Sequence, residues 1–183
     1  GTIYSTPATR DLAAVLLGDS AHLQEEDAKF YNRKRLKNGE EPIEPLYTTE
    51  DAAEAMKQFL SVPYDRRCPP VPGMTVTFRD AGHILGSAIV EIEFENKSRN
   101  NKLTFSGDLG RPDLPILRDP SKLPDCDYLI CESTYGGRTH ENPDGMKEKL
   151  LQQILLTIQR SGKIIIPAFS VGRTQNLAYY LTQ

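Results

Sequence analysis

The chain has 183 residues, 38% of them hydrophobic and 26% charged, with a formal net charge of −3. That length suits one substantial domain, or one domain and the start of another, and the composition excludes a disordered chain. The acidic balance excludes a global attraction for nucleic acid, so any polyanion would need a local site, and no run of eighteen apolar residues suits a membrane.

In chain order, Thr2-Ile3-Tyr4-Ser5 reads as a short strand and Pro7 suits a helix N-terminus. ATRDLAAVLLGDSAHLQEEDAKFYNRKRLKNG carries a helical pattern, open to interruption at Gly18-Asp19-Ser20 and ending at Gly39. EEPIEPLY is a proline-punctuated loop. Thr49 is placed to cap EDAAEAMKQFLS, with Glu50 and Asp51 set against the helix dipole. RRCPPVPG is a further loop.

From Met74 the period becomes two. Met74, Val76 and Phe78 alternate with Thr75 and Thr77; Ala88, Val90, Ile92 and Phe94 alternate with Glu91, Glu93 and Glu95. NKSRNNK turns the chain into the strand LTFSGD. After a proline-rich excursion over 112–124, DYLICES is a nearly continuous apolar run, the mark of a strand buried on both faces. GMKEKLLQQILLTIQRSG reads as an amphipathic helix stopped by Gly162, and KIIIPAF as another buried strand leading into a last helix. The alternation implies an α/β sheet covered by helices.

Cys68, Cys126 and Cys131 are odd in number and lack a C-x-x-C spacing. That argues against a disulfide framework or zinc knot and for a reducing compartment, with Cys131, inside an apolar run, read as a buried thiol. The strand-like opening GTIYST and the uncapped helical close GRTQNLAYYLTQ both read as cuts within a longer protein.

Three successive strand ends carry groups capable of chemistry. His83 follows VTFRDA between Gly82 and Gly86, Asp108 ends LTFSGD between Gly107 and Gly110, and Glu132 ends DYLICE. Residues beyond strand ends line the ligand crevice of an α/β sheet, and a carboxylate there has two oxygens with which to bridge two cations. Taken singly, each has a plainer explanation: a hydrogen-bonded loop histidine, a turn aspartate, an ordinary polar strand end. Their succession is the informative feature. Asp19, His22, Glu25 and Glu26 in DSAHLQEED also have ligand-like spacing, but a solvated helix face explains them better. In PAFSVGRTQ, Ser170, Gly172 and Arg173 stand where a strand passes into a helix. That is either a phosphate seat or a plain helix cap with a solvated arginine.

The blocks DSAHLQEEDA, LYTTEDA, FRDAGHILGSA, FSGDLGRPDLPI, ESTYGGRTH and IPAFSVGRTQ, in this order, resemble the β-CASP branch of the metallo-β-lactamase superfamily, nucleic-acid-processing hydrolases. The resemblance implies an α/β fold: a partial αββα metallo-β-lactamase sandwich over 1–162, with 163–183 beginning a β-CASP α/β insert. It implies two zinc ions at the sheet edge, with His83 a ligand, Asp108 the bridging ligand and Glu132 supporting acid–base chemistry. By the same resemblance the Ser170, Gly172 and Arg173 block helps hold the RNA backbone, and Arg138 and His140 in YGGRTH are candidates to touch it. The implied reaction is phosphodiester hydrolysis, in which zinc activates water and stabilises charge on the phosphate.

The sequence departs from the family in one respect. Relatives carry an H-x-H-x-D-H segment that supplies most zinc ligands, and two further histidines beyond the insert; His22 and His140, the other histidines here, have no such context. Those ligands are expected outside the chain, and the 183 residues alone are expected to show little or no nuclease activity. The expected partner is RNA, with DNA the alternative; a homodimer is one option the sequence leaves open, and the expected setting is cytoplasmic, with no membrane. A non-catalytic scaffold subunit and, with less support, a hydrolase of small thioesters or lactams are the competing functions. The three strand-end groups argue against the first, and the ESTYGGR and PAFSVGRTQ blocks against the second.

Overall fold

The computed structural model describes residues 1–96, 99–139 and 145–182. Helix α1 (Pro7–Lys37) opens on Thr6, whose Oγ1 accepts from the Thr9 N–H at 3.2 Å, with Pro7 where no N–H partner is needed. It runs 31 residues without the interruption open at Gly18-Asp19-Ser20. A glycine costs a helix interior only about 1 kcal/mol, too little to stop one with good formers on both sides. Lys34, Arg35 and Lys37 fill its last turn, where cations offset the dipole, and Gly39, at φ 73°, turns the chain away.

Helix α2 (Thr49–Met56) is capped one residue earlier than expected: Thr48 and Asp51 form a reciprocal capping box. Ala21 and Ala28 of α1 and Ala52 of α2 are buried. The loop between the helices is laced along α1. Arg35 Nε donates to the Glu41 carbonyl at 2.8 Å, Asn32 makes two bonds with the Ile43 backbone, and Gln24 Oε1 accepts from Leu46 N–H. Glu25 accepts from both the N–H and hydroxyl of Thr49, and Glu26 pairs with Lys29. These acids of the DSAHLQEED face therefore have structural partners.

The helical reading of EDAAEAMKQFLS overruns. After Met56 the chain forms β2 (Phe59–Ser61), parallel to β1 (Ile3–Ser5). Backbone bonds from Ile3 N–H to Gln58 and from Val62 N–H to Ser5, both 2.8 Å, replace the lost helical turn.

A second sheet has the order β3-β4-β5-β6-β7. It comprises β3 (Arg67–Cys68, within the expected loop), β4 (Met74–Asp80), β5 (Ala88–Asn96), β6 (Arg99–Phe105) and β7 (Tyr128–Ile130). The first three pairings are antiparallel; β7 runs parallel to β6. Two glutamates of β5 meet arginines: Arg79 on the adjacent β4 pairs with Glu91, and Arg67 on β3, one strand further out, with Glu93, each at 2.6 Å. Phe78 and Ile89 are buried within this sheet.

The C-terminal third departs most from expectation. β7 is a three-residue edge strand whose side chains are all half exposed, where DYLICES predicts burial on both faces. Cys131 is exposed rather than buried. KIIIPAF forms no strand, and Ile165 is 92% exposed. Helices α3 (Met146–Gln159) and α4 (Arg173–Leu181) bury no residue. β7 is the last strand of its sheet, with no described strand paired on its outer side. Among the described residues no helix is long and apolar enough to cross a membrane.

Candidate metal centre at the sheet edge

The pairings bring three strand ends to one margin. Asp80 ends β4 opposite Ala88, Val90 lies opposite Phe105 at the end of β6, and Phe105 neighbours Ile130 at the end of β7. His83, Asp108 and Glu132 each lie two or three residues beyond, on three loops that leave the same edge.

The His83 loop, 81–87, is held by its own serine. Ser87 Oγ accepts from the N–H groups of His83 and Ile84 at 3.1 and 3.2 Å, while Asp80 Oδ1 accepts from Gly82 N–H. Two distant elements clamp it from outside. The hydroxyls of Thr6 and Thr9 each lie 2.9 Å from the Gly86 carbonyl and 2.9 Å from one another. With one proton apiece they share that oxygen between them. Tyr64 donates its hydroxyl to the Ser87 carbonyl at 2.8 Å. Burial, with Asp80 nearby, pushes that phenol up to about 12.

The Asp108 loop is fastened to both neighbours. Gly110 N–H donates to the Ala81 carbonyl at 2.8 Å, an approach so close that a Cβ on Gly110 would lie 1.8 Å from the Gly82 oxygen. On the other side Leu109 N–H donates to Glu132 Oε1 at 2.5 Å. Ser106, fully buried, accepts from Glu132 N–H at 3.1 Å and donates its own N–H to the Ile130 carbonyl. The Leu109 bond first, then Thr134, and the His83 imidazole more weakly, hold the Glu132 carboxyl below its ordinary range.

His83 Nε2 and Asp108 Oδ2 lie 3.8 Å apart and both side chains are solvent-exposed. A tetrahedral ion with bonds of 2.0–2.1 Å sets adjacent donor atoms about 3.4 Å apart, so an imidazole and a carboxylate at this spacing suit two corners of one zinc site. Two corners do not make a site. Among the described residues no group of three His, Cys, Asp or Glu side chains could hold a metal ion.

The other residues singled out by sequence fall as follows. Gly172 stands at the N-terminus of α4 with φ 89°, and a Cβ there would come 3.1 Å from Ile84 Cγ2, the residue after His83. The SVGR segment thus reaches the His83 loop. The Ser170 carbonyl accepts from Gln175 Nε2, and Arg173, the first helical residue, is exposed. Arg138 closes the turn after Glu132 through its N–H to the Tyr135 carbonyl, and its exposed side chain has no ion pair among the described residues. His140 lies outside the described residues.

Sequence reasoning missed the residues that position the loops: Thr6, Thr9, Tyr64, Ser87 and Ser106. Ser87 and Ser106 each adjoin a glycine of the loop they fasten, a readable signal. The reach of Thr6 and Tyr64 across 80 and 23 residues is not readable from local pattern.

No protein-family model matches the chain. It is similar to the transcription termination factor FttA of Thermococcus kodakarensis, 34% identical over 186 positions that span all of this chain and 26% of that protein. It is similar to ribonuclease TTHA0252 of Thermus thermophilus, 30% identical across 99% of this chain and 37% of that protein. Endoribonuclease YSH1 of Eremothecium gossypii is 31% identical across the whole chain and 22% of its own length. The chain therefore spans between a fifth and two fifths of these relatives.

Proposed function

We propose, because this chain is homologous over its whole length to the β-CASP ribonucleases, that it forms part of a zinc-dependent nuclease hydrolysing phosphodiester bonds of RNA. Residues 1–162 are read as part of an αββα metallo-β-lactamase domain and 163–183 as the beginning of a β-CASP insert. The observation that carries the reading is the pair His83 and Asp108, 3.8 Å apart at one sheet edge with Glu132 on the adjoining loop.

In this reading His83 and Asp108 hold zinc, with further ligands contributed from outside these 183 residues. Zinc, when bound, supplies Lewis acidity toward the phosphate and an activated water. Glu132 accepts from the Leu109 N–H and so fixes the Asp108 loop; the hydrogen bonds that keep it ionised also make it a weak base, so its part is to orient the attacking water and support its proton transfer. Arg173 and the α4 N-terminus, brought to the His83 loop by Gly172, offer positive charge to a substrate phosphate. Arg138 offers a second cation beside Glu132, and His140, two residues further on, is proposed with it.

The test uses the whole protein and two readouts. Asp108→Ala should lower both bound zinc, by elemental analysis, and RNA cleavage, while Glu132→Gln should leave zinc in place and slow cleavage by roughly a hundredfold or more. Unchanged zinc and unchanged cleavage in Asp108→Ala would overturn the reading. Zinc bound with no cleavage by the unmodified protein would move it to a scaffold. The 183 residues alone should cleave little or no RNA, since two ligands leave a tetrahedral site half filled.

A further inference from the structure

The final turns of α1 read KFYNRKRLKN over 29–38, five cations and no acid in a chain of net charge −3. Two of the cations are engaged: Lys29 pairs with Glu26 at 2.8 Å and Arg35 with Glu40 at 3.0 Å. Arg33, Lys34 and Lys37 make no ion pair or side-chain hydrogen bond among the described residues. With Phe30 they stand at i, i+3, i+4 and i+7, which places all four on one helical face about 10 Å long. Phe30 is 66% exposed, and Tyr31, edge-on to it with ring centroids 5.5 Å apart, is 55% exposed. Tyr31 also lines an open groove with Lys34, Arg35, Asn38, Ile43 and Glu40, whose carboxylate is taken up by Arg35.

The helix dipole accounts for cations in a last turn, but it gives no reason for two adjacent aromatic rings in solvent. Rings flanked by unpaired cations are what single-stranded nucleic acid uses: phosphates meet the cations, and unpaired bases stack on the rings. We propose that this face of α1 is a second contact surface for single-stranded RNA, separate from the sheet-edge site. The assignment rests on the nuclease reading above and extends it. Thr9 touches the His83 loop, and Lys34 lies 25 residues further along the same helix, roughly 37 Å away. At the stacked spacing of a strand, that span is on the order of ten nucleotides. Only RNA longer than this reaches both surfaces.

The experiment compares single-stranded RNAs of about 6 and about 25 nucleotides as substrates of the whole protein. The triple variant Arg33→Gln, Lys34→Gln, Lys37→Gln keeps good helix formers. It should raise KM for the long RNA about tenfold at unchanged kcat and leave the short one unaffected. Its binding of the long RNA should lose up to about 2 from the log–log salt slope, three contacts' worth. Phe30→Leu should weaken that binding by roughly fivefold or more with the slope intact. If the unmodified protein cleaves the long RNA and both variants match it, this assignment fails while the nuclease reading stands. If the unmodified protein neither binds nor cleaves RNA, both fail. Competition by polyglutamate as strong as by RNA, with Phe30→Leu silent, would mark a surface for acidic proteins and overturn the assignment.

Discussion

Glu132 holds its loop through a carboxylate that titrates. Its folded value lies below the ordinary 4.5 because Leu109 N–H, then Thr134, bind the charged form. The folded protein therefore binds this proton less tightly than the unfolded chain does. Its contribution to stability is present above pH 4.5 and lost as pH falls through the lower folded value. Glu132→Gln should flatten that part of the acid limb, read as urea midpoints between roughly pH 3 and 7; parallel acid limbs in the two proteins would sink the idea. Gly110→Ala should cost about 1–3 kcal/mol by thermal or denaturant unfolding, because the added Cβ would lie 1.8 Å from a peptide oxygen and one of the two loops must retreat. A variant as stable as the parent would show that the loops are not tightly apposed. Both groups were visible in the sequence, but only as a strand-end acid and a turn glycine. Which loop each one fastened was not, because that depends on which strands are neighbours.

Among the elements, α1 has a role beyond packing on α2. Its N-terminal hydroxyls satisfy their own helix and the Gly86 carbonyl together, so a local cap is also a long-range clamp on His83. Thr6→Ala should therefore lower stability by about 2 kcal/mol, more than a solvent-facing cap is worth, and Thr6→Ser by much less. Equal losses for both substitutions would point to packing of the methyl group instead. Tyr64 clamps the same loop from the other side, with a phenol raised from 10.0 to about 12. Folded, it keeps its proton more tightly than unfolded, so its stabilisation is complete below pH 10 and fades as pH rises towards 12. Tyr64→Phe should abolish that alkaline decline, checked by thermal unfolding across the window. The β4 and β5 ladder was legible from its period of two, since a half-buried antiparallel strand must alternate. The β2 strand was not, because FLS continues an apolar pattern that suits either helix or strand, and β1, 56 residues earlier, decides it.

Over the whole molecule, order is uneven. β5 is paired with β4 on one side and β6 on the other along its described length, whereas α3 and α4 bury no side chain. Hydrogen exchange in the 183-residue chain should therefore be orders of magnitude faster in α3 and α4 than in β4–β6; equal protection would mean that the C-terminal quarter is packed after all. DYLICES and KIIIPAF read as buried strands because their apolar runs are composed for burial. They are exposed because burial needs a covering layer, and a sequence states a segment's demand for cover without stating what supplies it. The convergence of His83, Asp108 and Glu132 was legible as a hypothesis from three successive strand ends. The pairing that makes those ends adjacent had to come from the sheet.

The contact between Gly82 and Gly110 also bears on how such a site can evolve. When two side chains collide, shrinking one makes room for the other, so a harmful change can be rescued by a second. Here the obstacle to a side chain at position 110 is the peptide oxygen of Gly82, and no substitution at position 82 removes a peptide oxygen. Position 110 therefore has no compensating side chain at position 82, and only a shift of the backbone of one loop makes room. Among random variants a side chain at 110 should therefore survive only with changes that move a loop's backbone, such as a deletion or insertion, or that add stability elsewhere, and not with a smaller residue at 82.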